Sequence, residues 1–274
     1  MYFLIPALIT SDESEALLRI TMEHIPAVAE ARVIVISQGR RPSLVRPDHI
    51  RELLGEHHDL PLTKWQAIVR ARALLSDGCG QVVLLDADDP VDPASFLAAM
   101  PQMSSEPESC FIGCRREISL FAADALSADS RFFLEILSNT LLIQRFRTVV
   151  ADVDDPPDIQ SGFYVLPARR LNQLNFEYVA DYGGELALCY QLWESGLTTQ
   201  NLDYIAQARR ASSYKLKQIY AQIMDLPFFR SVTAAEIERA KNLAPILYRR
   251  YFNERLATSY QSEIAKILAF PRTR

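Results

Sequence analysis

Gln81-Val82-Val83-Leu84-Leu85-Asp86-Ala87-Asp88-Asp89-Pro90 decides how this chain is read. The apolar run is too short for a helix and follows a glycine-punctuated turn, so it reads as a strand buried on both faces. Asp-Asp-Pro then closes it as a turn. In extended backbone, residues two apart point to the same side, which would let Asp86 and Asp88 converge. Two such carboxylates suit Mg²⁺ or Mn²⁺, ions that take one or two protein carboxylates and leave their other positions to water and substrate phosphates. The same residues also make an ordinary solvated turn. The surrounding chain has to separate the two readings.

Upstream, Tyr2–Ile9 is another apolar run, followed by Thr10-Ser11-Asp12. Ser11 or Asp12 caps a helix over residues 13–24, with acids in its first turn. Residues 32–37 (RVIVIS) form a second strand closed by Gly39, and a short helix is expected over residues 47–54. Residues 63–75 form a clear helix, with Trp65, Ile68 and Val69 spaced as one buried face. Lys64, Ala67 and Ala71 share a stripe of that helix, the two alanines small enough for close approach to a strand or ligand. Strand–helix alternation implies crossover connections and a mostly parallel sheet flanked by helices. Ligands of such sheets sit beyond the carboxyl ends of the strands. The polar ends Thr10-Ser11-Asp12, Ser37-Gln38-Gly39 and Asp86-Ala87-Asp88 should therefore face one crevice, with the aspartate pair after the third strand.

Downstream, the pattern gives a helix over residues 93–100, a strand over 109–115, a helix over 131–150 and an acidic, proline-rich loop over 152–158. A strand over 162–166 and a helix over 184–195 follow, and the chain is helical from residue 212, broken near Pro227. Gly162 permits close approach of backbone to a ligand, or marks a bulge. The expected organisation is an α/β domain over residues 1–211, in two parts (1–105 and 106–211). A helical extension covers 212–274.

The 274 residues are 49% hydrophobic with a formal net charge of −5, and the isoelectric point is near 5.5, which argues against a general nucleic-acid binder. No secretory signal and no apolar run of roughly 20 residues is visible, so a cytoplasmic protein is expected. Cys79, Cys110, Cys114 and Cys189 read as reduced, buried residues rather than a metal clip, because all four histidines lie well upstream of the Cys110/Cys114 pair. The tail mixes Tyr214, Lys215, Lys217 and Tyr220 with Tyr248, Arg249, Arg250, Tyr251 and Phe252. That composition suits a packing or homodimer face, or a peripheral membrane contact.

Six segments, taken in order, resemble the GT-A glycosyltransferases, particularly family 2. They are FLIPALITSDESEALL (3–18), RVIVISQG (32–39), LTKWQAIVRARALL (62–75), VVLLDADDPVDPASF (82–96), IQSGFYVLPARRL (159–171) and GGELALCYQLWESG (183–196). The resemblance implies a nucleotide-diphospho-sugar transferase fold, with residues 1–211 as the catalytic domain (1–105 the nucleotide-binding half, 106–211 the acceptor half) and a C-terminal helical extension over 212–274. It places Pro6, Ala7, Thr10, Gln38, Lys64, Asp86 and Ala87 at a nucleotide-sugar donor such as a UDP- or GDP-sugar, and Asp86 and Asp88 at Mn²⁺ or Mg²⁺. It makes Glu185, or secondarily Asp181, the base that deprotonates a hydroxyl on a glycan, lipid or small-molecule acceptor. Arg209 and Arg210 could fold over the diphosphate, although a plain surface pair is the simpler reading. The chain departs from the family by lacking an acidic residue at Ser37-Gln38-Gly39, the Glu-Asp opening of the catalytic helix and the Gln-x-x-Arg-Trp motif.

Other readings use the same acids. A phosphatase with an aspartate pair carries it after the first strand, which here ends in Thr10-Ser11-Asp12. A nucleotidyltransferase has a glycine-rich loop there, and residues 6–14 contain no glycine. A non-catalytic scaffold or nucleotide-sugar sensor would keep the fold without the full site.

Overall fold

The computed structural model describes residues 1–27, 31–75, 80–88, 91–116, 131–150, 155–177, 179, 182–205 and 216–248. The chain divides into two compact units. The first comprises Met1–Arg116, Ser161–Glu177 and Thr199–Arg209; the second comprises Glu117–Gln160, Tyr178–Thr198 and Arg210–Arg274.

Among the described residues, the first unit is built on seven strands: β1 (Tyr2–Ile9), β2 (Arg32–Gly39), β3 (Glu52–His58), β4 (Gln81–Leu85), β5 (Cys110–Arg116), β6 (Phe163–Pro167) and β7 (Thr199–Ile205). Their spatial order is β3-β2-β1-β4-β6-β5-β7. β1 through β4 run parallel, β6 is antiparallel to both β4 and β5, and β5 pairs in parallel with β7. The mostly parallel sheet expected from the alternating elements is therefore present.

Its two faces follow the two-residue period of the strands. Phe3, Ile5, Ala7 and Ile9 of β1 join Val33, Val35, Val83, Leu85, Phe163 and Val165 in one apolar cluster. Helix α1 (Asp12–His24) adds Leu18 and Met22 to it, and α3 (Pro93–Ser105) adds Phe96. The Phe96 ring lies 5.9 Å from Phe3 and 5.3 Å from Phe163. Helix α2 (Lys64–Ala71) packs on β1 and β2. Trp65, Ala67, Ile68 and Ala71 of α2 are buried, whereas Val69 is 40% exposed. Val69 thus corrects the expected buried face, since the inward stripe runs through the small residues Ala67 and Ala71.

Two strands differ from expectation. Residues 52–58 form β3 in place of the tail of a helix, paired with β2 from Arg32↔Glu52 to Gln38↔His58. Strand β7 had no counterpart in the sequence pattern. The aspartate pair consequently follows the fourth strand. The short helix begun at Pro93 also continues through Pro101 to Ser105.

The second unit contains α4 (Arg131–Arg145), α6 (Gly184–Glu194), α7 (Leu216–Met224) and α8 (Ala234–Leu247); the short α5 (Ala168–Gln173) belongs to the first. Helix α4 packs against α6, α7 and α8. Tyr220 and Tyr248 of the basic-aromatic tail are buried, and Tyr248 donates to the Pro157 carbonyl at 3.1 Å. Both rings pack inward. The remaining tail aromatics singled out, Tyr214, Tyr251 and Phe252, lie outside the described residues.

Cys110, Cys114 and Cys189 are buried, and burial pushes the Cys110 thiol up to about 11. Thiolate, not thiol, is the reactive form. In a Cys79→Ser variant, a thiol-exchange reagent at pH 8 should therefore modify no cysteine before denaturant unfolds the protein. Rapid modification of any thiol in the native state would contradict this packing.

Candidate functional site

The parallel half of the sheet reverses its winding between β1 and β4. From β1 the chain winds outward to β2 and β3, then returns to place β4 on the other side of β1. Such a switch point leaves a crevice beyond the strand ends. The ladders show it opening: β1 stays paired with β2 to Ile9↔Gly39 but with β4 only to Leu4↔Leu84. Pro6 lies two residues past that last β1–β4 pair. A residue without an N–H is tolerated in a central strand where a ladder has stopped.

Asp86 is the first residue beyond β4. Ala87 packs against the apolar cluster, while Asp86 is partly exposed beside α2. Its Oδ1 lies 2.6 Å from Lys64 Nζ. The two side chains are 35% and 25% exposed, so solvent holds the pair's contribution to stability at about 1 kcal/mol or less. Its significance is placement. Thr63 caps α2 through its hydroxyl, which accepts from the Gln66 N–H at 3.1 Å, and Lys64 is the next residue. A cation in the first turn opposes the helix macrodipole, and no acid of α2 offsets it. Asp86, arriving from β4, does.

On its other side Asp86 meets Gly162. Strand β6 pairs antiparallel with β4 to Leu85↔Phe163, so one further step brings Gly162 beside Asp86. Gly162 has φ +77°, and a Cβ there would lie 2.9 Å from Asp86 Cγ and closer still to Oδ2. The close approach of backbone at Gly162 is made to the protein's own Asp86 carboxylate, where a ligand was expected.

The remaining acids of the segment have separate placements. Asp88 is exposed in the turn after β4. The turn ends the two-residue period that would have aligned Asp88 with Asp86. Asp92 caps α3, accepting from the Ser95 N–H at 3.0 Å. Asp89 lies outside the described residues. Among the described residues, no group of three or more His, Cys, Asp or Glu side chains could hold a metal. A divalent ion held chiefly by substrate phosphates needs no such cage, and one exposed carboxylate at a strand end fits it.

The other expected donor-site residues lie around the same strand ends. Ala7 is buried, Thr10 is exposed, and the N–H groups of Thr10 and Ser11 both donate to Ser14 Oγ at 2.9 Å. Gln38 is engaged with Leu62. Its Nε2 donates to the Leu62 carbonyl at 2.5 Å, and its Oε1 accepts from the Leu62 N–H at 2.6 Å. Neither the Lys64–Asp86 pair nor the Gln38–Leu62 bracket follows from local motif spacing. Topology does carry a signal for the first: in a right-handed βαβ unit the helix N-terminus and the strand C-termini share one end of the sheet.

In the second unit, Glu185 is partly buried in the first turn of α6. Gly183 caps that helix at φ 110°, where a Cβ would lie 2.7 Å from Leu226 Cδ1. The Tyr182 N–H donates to Gln222 Oε1 at 3.0 Å. Asp181, Arg209 and Arg210 lie outside the described residues.

No protein-family model and no curated protein matches this sequence. Solved structures do match its fold. Glucosyl-3-phosphoglycerate synthase from Mycobacterium tuberculosis, in complex with Mn²⁺, UDP-glucose and phosphoglyceric acid, is similar over 81% of this chain and 78% of its own. The identity is 17% and the TM-score 0.50. The same protein with Mg²⁺ and UDP matches over 81% and 77%, at 17% identity and a TM-score of 0.50. With a seven-stranded, mostly parallel sheet, a winding reversal between β1 and β4 and this match, the chain has the GT-A fold of nucleotide-diphospho-sugar transferases.

Proposed function

We propose that this chain is a glycosyltransferase that moves a hexose from a nucleoside-diphosphate sugar to a hydroxyl acceptor, with a divalent cation at the donor. The observation that carries the reading is the Lys64–Asp86 pair at the β1/β4 switch point, 2.6 Å apart and braced by Gly162. The solved structures of similar fold support the donor class, since their complexes contain UDP-glucose, or UDP with Mg²⁺.

In this reading Lys64 and the N-terminal turn of α2 supply positive charge to the diphosphate. Asp86 orients Lys64 and faces the sugar nucleotide, and Pro6, Ala7, Thr10 and Ala87 border the nucleoside. Asp88, with Asp86 as the second carboxylate, would hold Mn²⁺ or Mg²⁺, which when bound would neutralise the departing diphosphate. Glu185 takes the proton from the attacking hydroxyl; Asp181 is the second candidate for that task.

The test is a melting-temperature screen of UDP-, GDP- and CDP-sugars and plain nucleoside triphosphates, each with and without Mn²⁺. A ligand at about 100 times its dissociation constant stabilises the native state by about 2.7 kcal/mol, which is several degrees for a chain of this size. A metal-dependent rise with a nucleotide sugar supports the proposal. A rise with triphosphates alone favours a nucleotidyltransferase, and no rise with any nucleotide leaves a non-catalytic scaffold. Asp88→Ala should abolish the Mn²⁺-dependent part of the rise while leaving the unliganded melting temperature within about 2 °C, because an exposed turn residue contributes little to stability. An unchanged metal response in that variant removes Asp88 from the site.

A further inference from the structure

Loop 59–61, which leads into α2, is exposed along its length, with Leu60 at 77%. No burial holds it. Yet it ends at Thr63 and Lys64, the cap and first residue of α2, and Lys64 must reach Asp86. The anchor is at Leu62, where the Gln38 carboxamide reads both backbone groups of one residue, donating at 2.5 Å and accepting at 2.6 Å. That bracket copies the two hydrogen bonds of a strand pair. It is fixed in turn by β2, whose register holds Gln38 opposite His58. The preceding Ser37 side chain donates to the Glu56 carbonyl at 3.2 Å and lies 3.1 Å from His57 Nδ1. The end of β2 is therefore held by its ladder and by Ser37, and through Leu62 that hold reaches Thr63 and Lys64.

We propose that Gln38 is a positioning residue for the donor site: it acts by bracketing Leu62 and so aiming Lys64 at Asp86, not by touching the nucleotide. This rests on the donor-site reading above. It also accounts for an uncharged amide at a strand end otherwise expected to carry an acid. A carboxylate could accept from the Leu62 N–H but would face its carbonyl with a second acceptor.

The test uses UDP with Mn²⁺ as probe, measured by calorimetry on the full chain. Gln38→Ala and Gln38→Glu should each weaken UDP binding about tenfold. In the K64A background the same changes should add less than twofold, because groups acting through one another are non-additive. Full additivity in the K64A background overturns the proposal, since it would mean direct contact with the nucleotide. A second arm needs no nucleotide. The NMR signal of the Lys64 ε-methylene should move on Asp86→Asn in the wild-type chain and should no longer respond in the Q38A background. An equal response in both backgrounds also overturns the proposal. If the wild-type chain binds no UDP, the donor-site reading fails, and the NMR arm alone decides the role of Gln38.

Discussion

Replacing Gly162 by alanine is expected to destabilise the protein by about 2–6 kcal/mol and to abolish detectable binding of a nucleotide sugar. Two costs combine. At φ +77° a residue bearing a Cβ is strained by about 1–3 kcal/mol. That Cβ would also meet the Asp86 carboxylate at sub-contact distance, and overpacking costs a further ~1–3 kcal/mol unless the carboxylate moves. Movement of Asp86 breaks its 2.6 Å contact with Lys64, so relief of the clash disables the site. Denaturant unfolding of four proteins separates the costs: wild type, Gly162→Ala, Asp86→Ala and the double variant. With Asp86 truncated, the alanine at 162 should cost only the backbone strain. An equal cost in both backgrounds would show that Gly162 serves the turn alone and does not shape the carboxylate's position.

The same segment illustrates what could be read from residue order. Strands β1, β2 and β4 lie in the sheet interior, and their apolar runs announce them because both faces are covered. The two strands that escaped the pattern, β3 and β7, are the two edges of the sheet. Each reads as polar, ELLGEHH and TQNLDYI, with many partly exposed positions. Their conformation comes from a ladder to one neighbour, and pairing of that kind leaves little imprint on composition.

The site divides along a similar line. Asp86 and Lys64 were visible as charged residues at one end of a βαβ unit, and Gly162 as a conformational exception. That Gly162 also meets Asp86 depends on β6 running antiparallel to β4. An antiparallel strand in a mostly parallel sheet is set by long-range chain routing that a single sequence does not display. The Gln38 bracket depends on a side chain replacing a strand's hydrogen bonds, which no periodicity records. Asp88 lies where the periodicity of the strand ends. The two-residue rule assumes extended backbone, and the chain turns at Ala87 and Asp88.

Glu185→Gln is expected to lower turnover by about 10²–10⁴-fold, the range that a positioned general base supplies, while leaving the donor's melting-temperature rise intact. The competing account is structural: an acid in the first turn of α6 complements the helix macrodipole, worth about 0.3–1 kcal/mol at a partly exposed position. The two accounts separate cleanly because glutamine keeps the size and hydrogen-bonding reach of the side chain and removes only its charge and basicity. The backbone beneath it is well braced. Gly183 enters the helix in a left-handed conformation against Leu226, and Gln222 accepts from the Tyr182 N–H. A loss of activity in this variant therefore cannot be laid to a shifted helix unless its stability falls as well. The measurement is release of nucleoside diphosphate from whichever donor the melting screen identifies, alongside denaturant unfolding of the same preparation. A hundredfold loss of rate with stability changed by less than about 1 kcal/mol assigns Glu185 to proton transfer. Near-normal rate with a small loss of stability returns it to the helix and leaves Asp181 as the acid to test.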